Sequence, residues 1–219
     1  MLVNGEAGSS TQPMLASMFP RPSTRMNLAS YFAESAKILD LARQAWSDGL
    51  LGGAVGACTT ALGNGRPVLV CGNGGSAADA MHFTAELVGR FLIRRQAFNV
   101  ICLSSNPALL TAWANDYSYE TVFSRQVEAY GEPGAVLIGI STSGNSQNVV
   151  KAFERARAMS MKTISLTGEG GGKLAALSDY LFAAPSTSTA LIQQTHVCLY
   201  HYLCGEIEET LAERGPGTK

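Results

Sequence analysis

A doubly wound α/β domain is what this sequence predicts: one parallel sheet of five strands, helices on both faces, and further helices ahead of them. Three observations carry the prediction. Short apolar runs recur at Pro67–Cys71, Phe98–Leu103, Ala135–Ile140, Thr163–Leu166 and Tyr180–Ala184. Helical patterns follow them, among them Asn145–Met159 and a long one from Thr189 to about Arg214. Strands that are apolar end to end and separated by helices belong to a parallel sheet covered on both sides. Finally, loops rich in glycine and hydroxyl groups follow the first and third strands, and such sheets bind ligands beyond the carboxyl ends of their strands.

The elements follow in order. Residues 1–25, "MLVNGEAGSSTQPMLASMFPRPSTR", are rich in Ser, Pro and Gly and show no sustained period. They lack the basic start and apolar core of a secretory signal, and a disordered lead is expected there. From Asn27 to Asp48 the pattern is helical and carries two apolar stripes. Leu28, Phe32, Leu39, Ala42 and Trp46 form one; Tyr31, Ile38, Leu41 and Ala45 form the other. One stripe docks a helix on its own domain, and a second suits contact with another subunit. Another helix is expected over Ala54–Leu62. No internal repeat or linker follows, so residues 26–219 read as one domain with oligomerisation helices at its start.

Composition narrows the partners. The 219 residues include 46% hydrophobic and 15% charged, with a net charge of -1 and no basic patch. Neither nucleic acid nor an anionic membrane surface is an expected partner. No apolar run approaches the roughly 18 residues of a membrane span. Five cysteines (Cys58, Cys71, Cys102, Cys198, Cys204) form no C-x-x-C pair. They read as reduced, buried residues of a cytoplasmic protein.

The first loop, "VLVCGNGGSAADAMHFTAEL", satisfies the dinucleotide fingerprint with Gly72, Gly74 and Ala77. That fingerprint also needs an acidic residue at the end of the second strand, where this chain has Ser104, Ser105 and Asn106. "GEGGGKL" fails as a P-loop because Leu174 stands where a metal-binding hydroxyl is required. No nucleotide is therefore expected. What remains is a close backbone approach and a helix start that offers N–H groups to an anion. The second loop, "STSGNS", crowds Ser141, Thr142, Ser143 and Ser146 around Gly144 at another helix start. Hydroxyls with helix-start N–H groups suit a phosphate monoester. Ordinary capping would account for one serine of the four hydroxyl residues.

All three histidines lie in two predicted helices. Asp79, His82 and Glu86 share one helical face, and His82 and Glu86 stand one turn apart, where they can share a metal or simply a hydrogen bond. Gln193, His196 and His201 fall early in the last helix, whose other positions read as core. Gln193 and His201 would stand about 12 Å apart on a straight helix. They can meet one ion only if Gln193 is in a frayed start or if they come from different subunits.

Together, "CGNGGSAADAMHFTAELVGRF", "AWANDYSYETVFSRQVEA", "GISTSGNSQNVVKAF", "LTGEGGGKLA" and "IQQTHVCLYH" resemble the phosphoheptose isomerases of the sugar isomerase (SIS) fold, a flavodoxin-like arrangement. The resemblance runs from about Asn27 to Glu209. It implies conversion of sedoheptulose 7-phosphate to D-glycero-D-manno-heptose 7-phosphate, the first step towards ADP-heptose for bacterial surface polysaccharide. It also implies a homotetramer with active sites between subunits and one zinc ion per subunit. Carried onto this chain, Asn73, Gly74, Gly75, Asn115 and Asp116 would touch substrate, with Glu86 and Gln193 beside them. Ser141, Thr142, Ser143 and Ser146 would hold the phosphate. His82, Glu86, Gln193 and His201 would form the metal set, with Glu86 as base and His201 as acid. Where some relatives carry Asp, three residues before Gln193, this chain has Ala190.

The chemistry agrees with the residue types. A ketose becomes an aldose through an enediol, which needs a base at carbon, an acid at oxygen and stabilisation of developing charge. Two other readings keep parts of this set. An isomerase of a different sugar phosphate would retain both loops and differ near Asn115 and Ala190. A non-catalytic regulator of the same fold would lack members of the His–Glu and Gln–His set, which is complete here.

Overall fold

The computed structural model describes residues 27–213, so the expected disordered lead lies outside them. The chain divides into two compact units, 1–34 and 35–219. Of the first, the described part is the opening of helix α1 (Leu28–Ala45), where Leu28 and Phe32 are exposed. Within the second unit α1 buries Ile38 and Ala42 and leaves Leu41 exposed.

The expected α1 extends to Asp48, but it stops at Ala45 because Ser47 begins a new helix. The Ser47 hydroxyl accepts from the Leu50 N–H and caps α2 (Asp48–Gly63), with Asp48 in its first turn. This helix starts six residues before the expected Ala54. Glycines at 49, 52 and 53 mask it in sequence, since glycine weakens a helix interior. Gly53 has a packing reason: a Cβ there would strike the Tyr180 ring.

The sheet then forms as expected. In order come β1 (Val68–Gly72), α3 (Gly75–Val88), β2 (Val100–Cys102), α4 (Pro107–Asp116), α5 (Val122–Tyr130) and β3 (Val136–Ser141). There follow α6 (Gln147–Ala158), β4 (Lys162–Thr167), β5 (Tyr180–Ala183) and α7 (Thr189–Glu213). All four strand pairings are parallel, and the spatial order is β2-β1-β3-β4-β5. Val68 and Val70 face one apolar cluster with Phe83, Leu199 and Tyr200. Leu69 and Cys71, pointing the other way, face a second with Phe123, Val149 and Phe153. This two-sided burial is why the strands read as unbroken apolar runs. Four cysteines are buried as expected, while Cys198 is exposed on the outer face of α7. Among the described residues no helix is long and apolar enough to cross a membrane.

The irregular stretch between α3 and β2 hangs on one carboxylate. Glu208 of α7, fully buried, accepts from the backbone N–H groups of Phe91 (3.0 Å), Leu92 (2.6 Å) and Ile93 (2.9 Å). Arg95 pairs with it at 3.0 Å, donates to the Glu86 and Gln96 carbonyls, and lies over the Phe98 ring. Burial alone would raise the Glu208 pKa, but the three N–H groups and Arg95 outweigh it and hold it below the usual range. Removing one partner of a buried ion pair strands the other. Glu208→Ala should therefore lower unfolding free energy by about 3–5 kcal/mol in urea titration, with residues 89–98 losing amide protection first. Glu209→Ala, on the exposed side of the same turn, should stay within about 0.5 kcal/mol of wild type.

Candidate active site

The winding reverses between β1 and β3, which are neighbours in the sheet, and the two expected loops leave it there. This is the place where doubly wound sheets bind ligands. In the first loop Gly74 precedes α3 at φ 55°, a conformation costly for other residues, and no side chain caps the helix. The first N–H groups of α3 are thus directed at the loop. A Cβ at Gly75 would collide with the Gln193 amide, so glycine there admits Gln193 to the helix start. Asn73 and Asn148 form a reciprocal amide pair, 2.9 Å in each direction, that ties the first loop to the start of α6. The Tyr119 hydroxyl donates to the same Asn73 oxygen at 2.8 Å. Ser104 bonds both the N–H and the carbonyl of Gly72.

In the hydroxyl loop Ser143 Oγ accepts from the Asn145 N–H at 3.1 Å. Ser146 occupies the N-cap of α6, yet its side chain makes no capping bond. Its Oγ lies 3.0 Å from that of Ser141 instead. Gly144, at φ 63°, packs against the backbone of Gly171 and Gly172, where a Cβ has no room. Asn145 pins the loop from both sides, donating to the Ser143 carbonyl and accepting from the Lys173 N–H.

Along α3 and α7 lies the third part. His82 Nε2 is 2.9 Å from Glu86 Oε1 and 3.5 Å from His201 Nε2. One ligand atom from each of these three residues lies within 4.8 Å of the others. The His201 ring stacks on Phe91, 5.7 Å away and 14° from parallel. Two of the expected neighbours are elsewhere. Asp79 stays outside the trio, and burial, partly offset by His82, raises its pKa. Gln193 is inside a regular helix that starts at Thr189, and it touches Gly75 rather than the trio. The frayed-start route to a four-residue set in one chain is thereby removed, because Gln193 and His201 stay on a straight helix about 12 Å apart.

Asn115 and Asp116 end α4, exposed, with Asn115 donating to Asp116 at 2.9 Å. Ala190 is exposed in the first turn of α7. Sequence reasoning missed Asn148, Tyr119, Ser104, Phe91 and Tyr200. Asn148 had a signal, an amide in the first turn after "STSGNS"; the others act across the fold and had none.

Comparison with known proteins identifies the family and the fold. The model of the SIS domain family matches residues 30–168. A phosphoheptose isomerase of Helicobacter pylori is 53% identical over 153 residues, covering 70% of this chain and 80% of that protein. The chain belongs to the phosphoheptose isomerase family of SIS-domain proteins. Two solved phosphoheptose isomerases share the architecture. That of Neisseria gonorrhoeae is 41% identical with a TM-score of 0.78, covering 83% of this chain and 97% of its own. That of Francisella tularensis is 36% identical with a TM-score of 0.79, covering 83% and 96%. The SIS match takes in both loops, His82 and Glu86, and closes at the end of β4, before α7.

Within this SIS fold His196 is structural. It is fully buried, and its Nε2–H donates to the Thr167 carbonyl at 3.0 Å. Burial pushes its pKa from 6.5 down to about 4, against the raising effect of that bond. The folded chain then binds fewer protons than the unfolded one between these values. Stability is full above pH 6.5 and is lost as pH falls towards 4. Urea titrations across that window should show wild type losing up to about 3 kcal/mol more than His196→Gln, which cannot titrate. Parallel pH curves for the two proteins would contradict this.

Proposed function

We infer that this chain is a ketose–aldose isomerase that interconverts sedoheptulose 7-phosphate and D-glycero-D-manno-heptose 7-phosphate, the step that opens ADP-heptose synthesis. The observation that carries the reading is the trio His82, Glu86 and His201, placed on α3 and α7 behind the two loops at the sheet's reversal point. Identity near 50% to proteins named phosphoheptose isomerase supports it.

In this reading Ser141, Thr142, Ser143 and Ser146, with the first N–H groups of α6, hold the phosphate. Asn73, Gly74, Gly75, Asn115 and Asp116 line the sugar. Glu86 takes the proton from the carbon beside the carbonyl and returns it to the neighbouring carbon. His201 donates to the carbonyl oxygen and recovers a proton from the adjacent hydroxyl, so the enediol forms and collapses without net charge change. Two imidazoles and a carboxylate within 4.8 Å suit the N/O donor set of zinc, and His82, Glu86 and His201 would hold it. When bound, such an ion supplies Lewis-acid polarisation of substrate oxygens.

Gln193 would join that set from another subunit, as in a homotetramer with shared sites. The exposed Leu28, Phe32 and Leu41 of α1 give such an assembly apolar surface to cover. We place the tetramer in the cytoplasm, where its sugar-phosphate substrate is held.

Assays of the purified protein should show turnover of sedoheptulose 7-phosphate and little of hexose or pentose ketose phosphates. Glu86→Gln should lower kcat by roughly 10²–10⁴-fold with KM little changed, since an amide keeps the shape but takes no proton. Wild-type turnover in that variant would end the catalytic assignment. Ser143→Ala and Ser146→Ala should each raise KM by the equivalent of about 1–3 kcal/mol. Unchanged KM in both would reduce the loop to a helix start.

A further inference from the structure

The backbone N–H of Val149 can only donate, and it reaches Asn148 Oδ1 at 3.0 Å. That one bond fixes which end of the Asn148 amide is oxygen, a direction that has to be read from its partners. Asn148 Nδ2 therefore faces Asn73, and the Asn73 atom that receives it, 2.9 Å away, is the oxygen. The return bond, also 2.9 Å, runs from Asn73 Nδ2 to Asn148 Oδ1. The Tyr119 hydroxyl meets the same Asn73 oxygen at 2.8 Å, so it donates as well.

Donor and acceptor capacity then determines what Asn73 has left. An amide oxygen has two lone pairs, and Asn148 and Tyr119 take both. The amide nitrogen has two hydrogens, and Asn148 takes one. Among the described residues the other has no protein acceptor. Asn73 can therefore offer a ligand a donor and nothing else. The three residues come from three segments: Asn73 follows β1, Asn148 lies in the first turn of α6 beyond β3, and Tyr119 sits between α4 and α5. Glu120, beside Tyr119, pairs with Lys151 of α6 at 2.6 Å and ties that turn to the same helix. Burial does not demand the Tyr119 bond, because Tyr119 is 49% exposed and water could serve its hydroxyl.

We propose that Asn148 and Tyr119 are positioning residues that make Asn73 a fixed hydrogen-bond donor to a sugar oxygen of the substrate. The proposal rests on the isomerase reading above and deepens it, since it gives Asn73 a direction and names what holds it. An unrestrained asparagine amide can turn over and present either end to a ligand. Here three hydrogen bonds hold it, and turning over would set its nitrogen against two donors. A donor fixed in advance suits a carbonyl or hydroxyl oxygen of the sugar. It needs no reorganisation as such an oxygen gains negative charge on the way to the enediol.

The test is a double-mutant cycle on the full chain, read as kcat/KM for sedoheptulose 7-phosphate and as competitive inhibition by inorganic phosphate. Tyr119→Phe should lower kcat/KM roughly 3–10-fold, the size of one lost hydrogen bond. Its phosphate inhibition and Tm should stay at wild-type values, because the hydroxyl loop is untouched. Asn73→Ala and Asn148→Ala should each lower kcat/KM roughly 10–100-fold, through a lost or misplaced donor. In the Asn73→Ala background Tyr119→Phe and Asn148→Ala should each cost less than about twofold, since both act through Asn73. A loss below about twofold in Tyr119→Phe alone, or its full loss retained in the Asn73→Ala background, would overturn the positioning while leaving the isomerase reading intact. Phosphate inhibition weakened as much as kcat/KM in Tyr119→Phe would mean a displaced hydroxyl loop, and would overturn it too. Should Asn148→Ala fail to fold, the Tyr119→Phe cycle decides alone. A wild-type chain that turns over no sedoheptulose 7-phosphate would overturn both readings.

Discussion

Five paired residues between β1 and β3, from Val68 with Val136 to Gly72 with Ile140, set the height at which two loops leave the sheet. Everything at the candidate site depends on that register. A slip by one residue would turn the strand's core face to the wrong side and would carry Asn73 away from Asn148. In register, the two loops end side by side, and their amide pair locks two helix starts towards a common point. Neither N-cap side chain makes a capping bond, so the first two N–H groups of each helix remain for an anion, while the Val149 N–H goes to Asn148 Oδ1.

Helix α3 then carries two tasks along one axis. Its first turn belongs to the glycine loop, and two and three turns on it presents His82 and Glu86. Helix α7 runs beside it in the same direction, with Gln193 at Gly75 and His201 at His82. That parallel pairing explains both the trio and the separation of Gln193 from it. The loop after α3 closes the arrangement: Glu208 and Arg95 hold it, and Phe91 within it supports the His201 ring.

Much of this was legible in the residues. Five apolar runs became five strands with ends shifted by at most two residues, because burial on both faces leaves a strong signal. The loops were legible because glycine and hydroxyl clusters after a strand have few other uses. The start of α2 was not, because glycines at 49, 52 and 53 hide a helix that packing against the sheet restores. Nor could spacing show which of Asp79, Gln193 and His196 would leave the expected groups. That depended on the direction of α7 relative to α3, a tertiary fact. Tyr200 carried no signal in the residues, because its hydroxyl meets His82 Nδ1 only across the fold.

The central claim is that Glu86 moves a proton between adjacent carbons at the trio. The most direct measurement is isomerisation of sedoheptulose 7-phosphate in deuterium oxide, with the product read by proton NMR. A carboxylate base that exchanges with solvent should leave deuterium on the carbon that receives the proton, in wild type and not in Glu86→Gln. Conversion by Glu86→Gln at the wild-type rate with the same deuterium content in the product would mean that another group moves the proton, and would contradict the account.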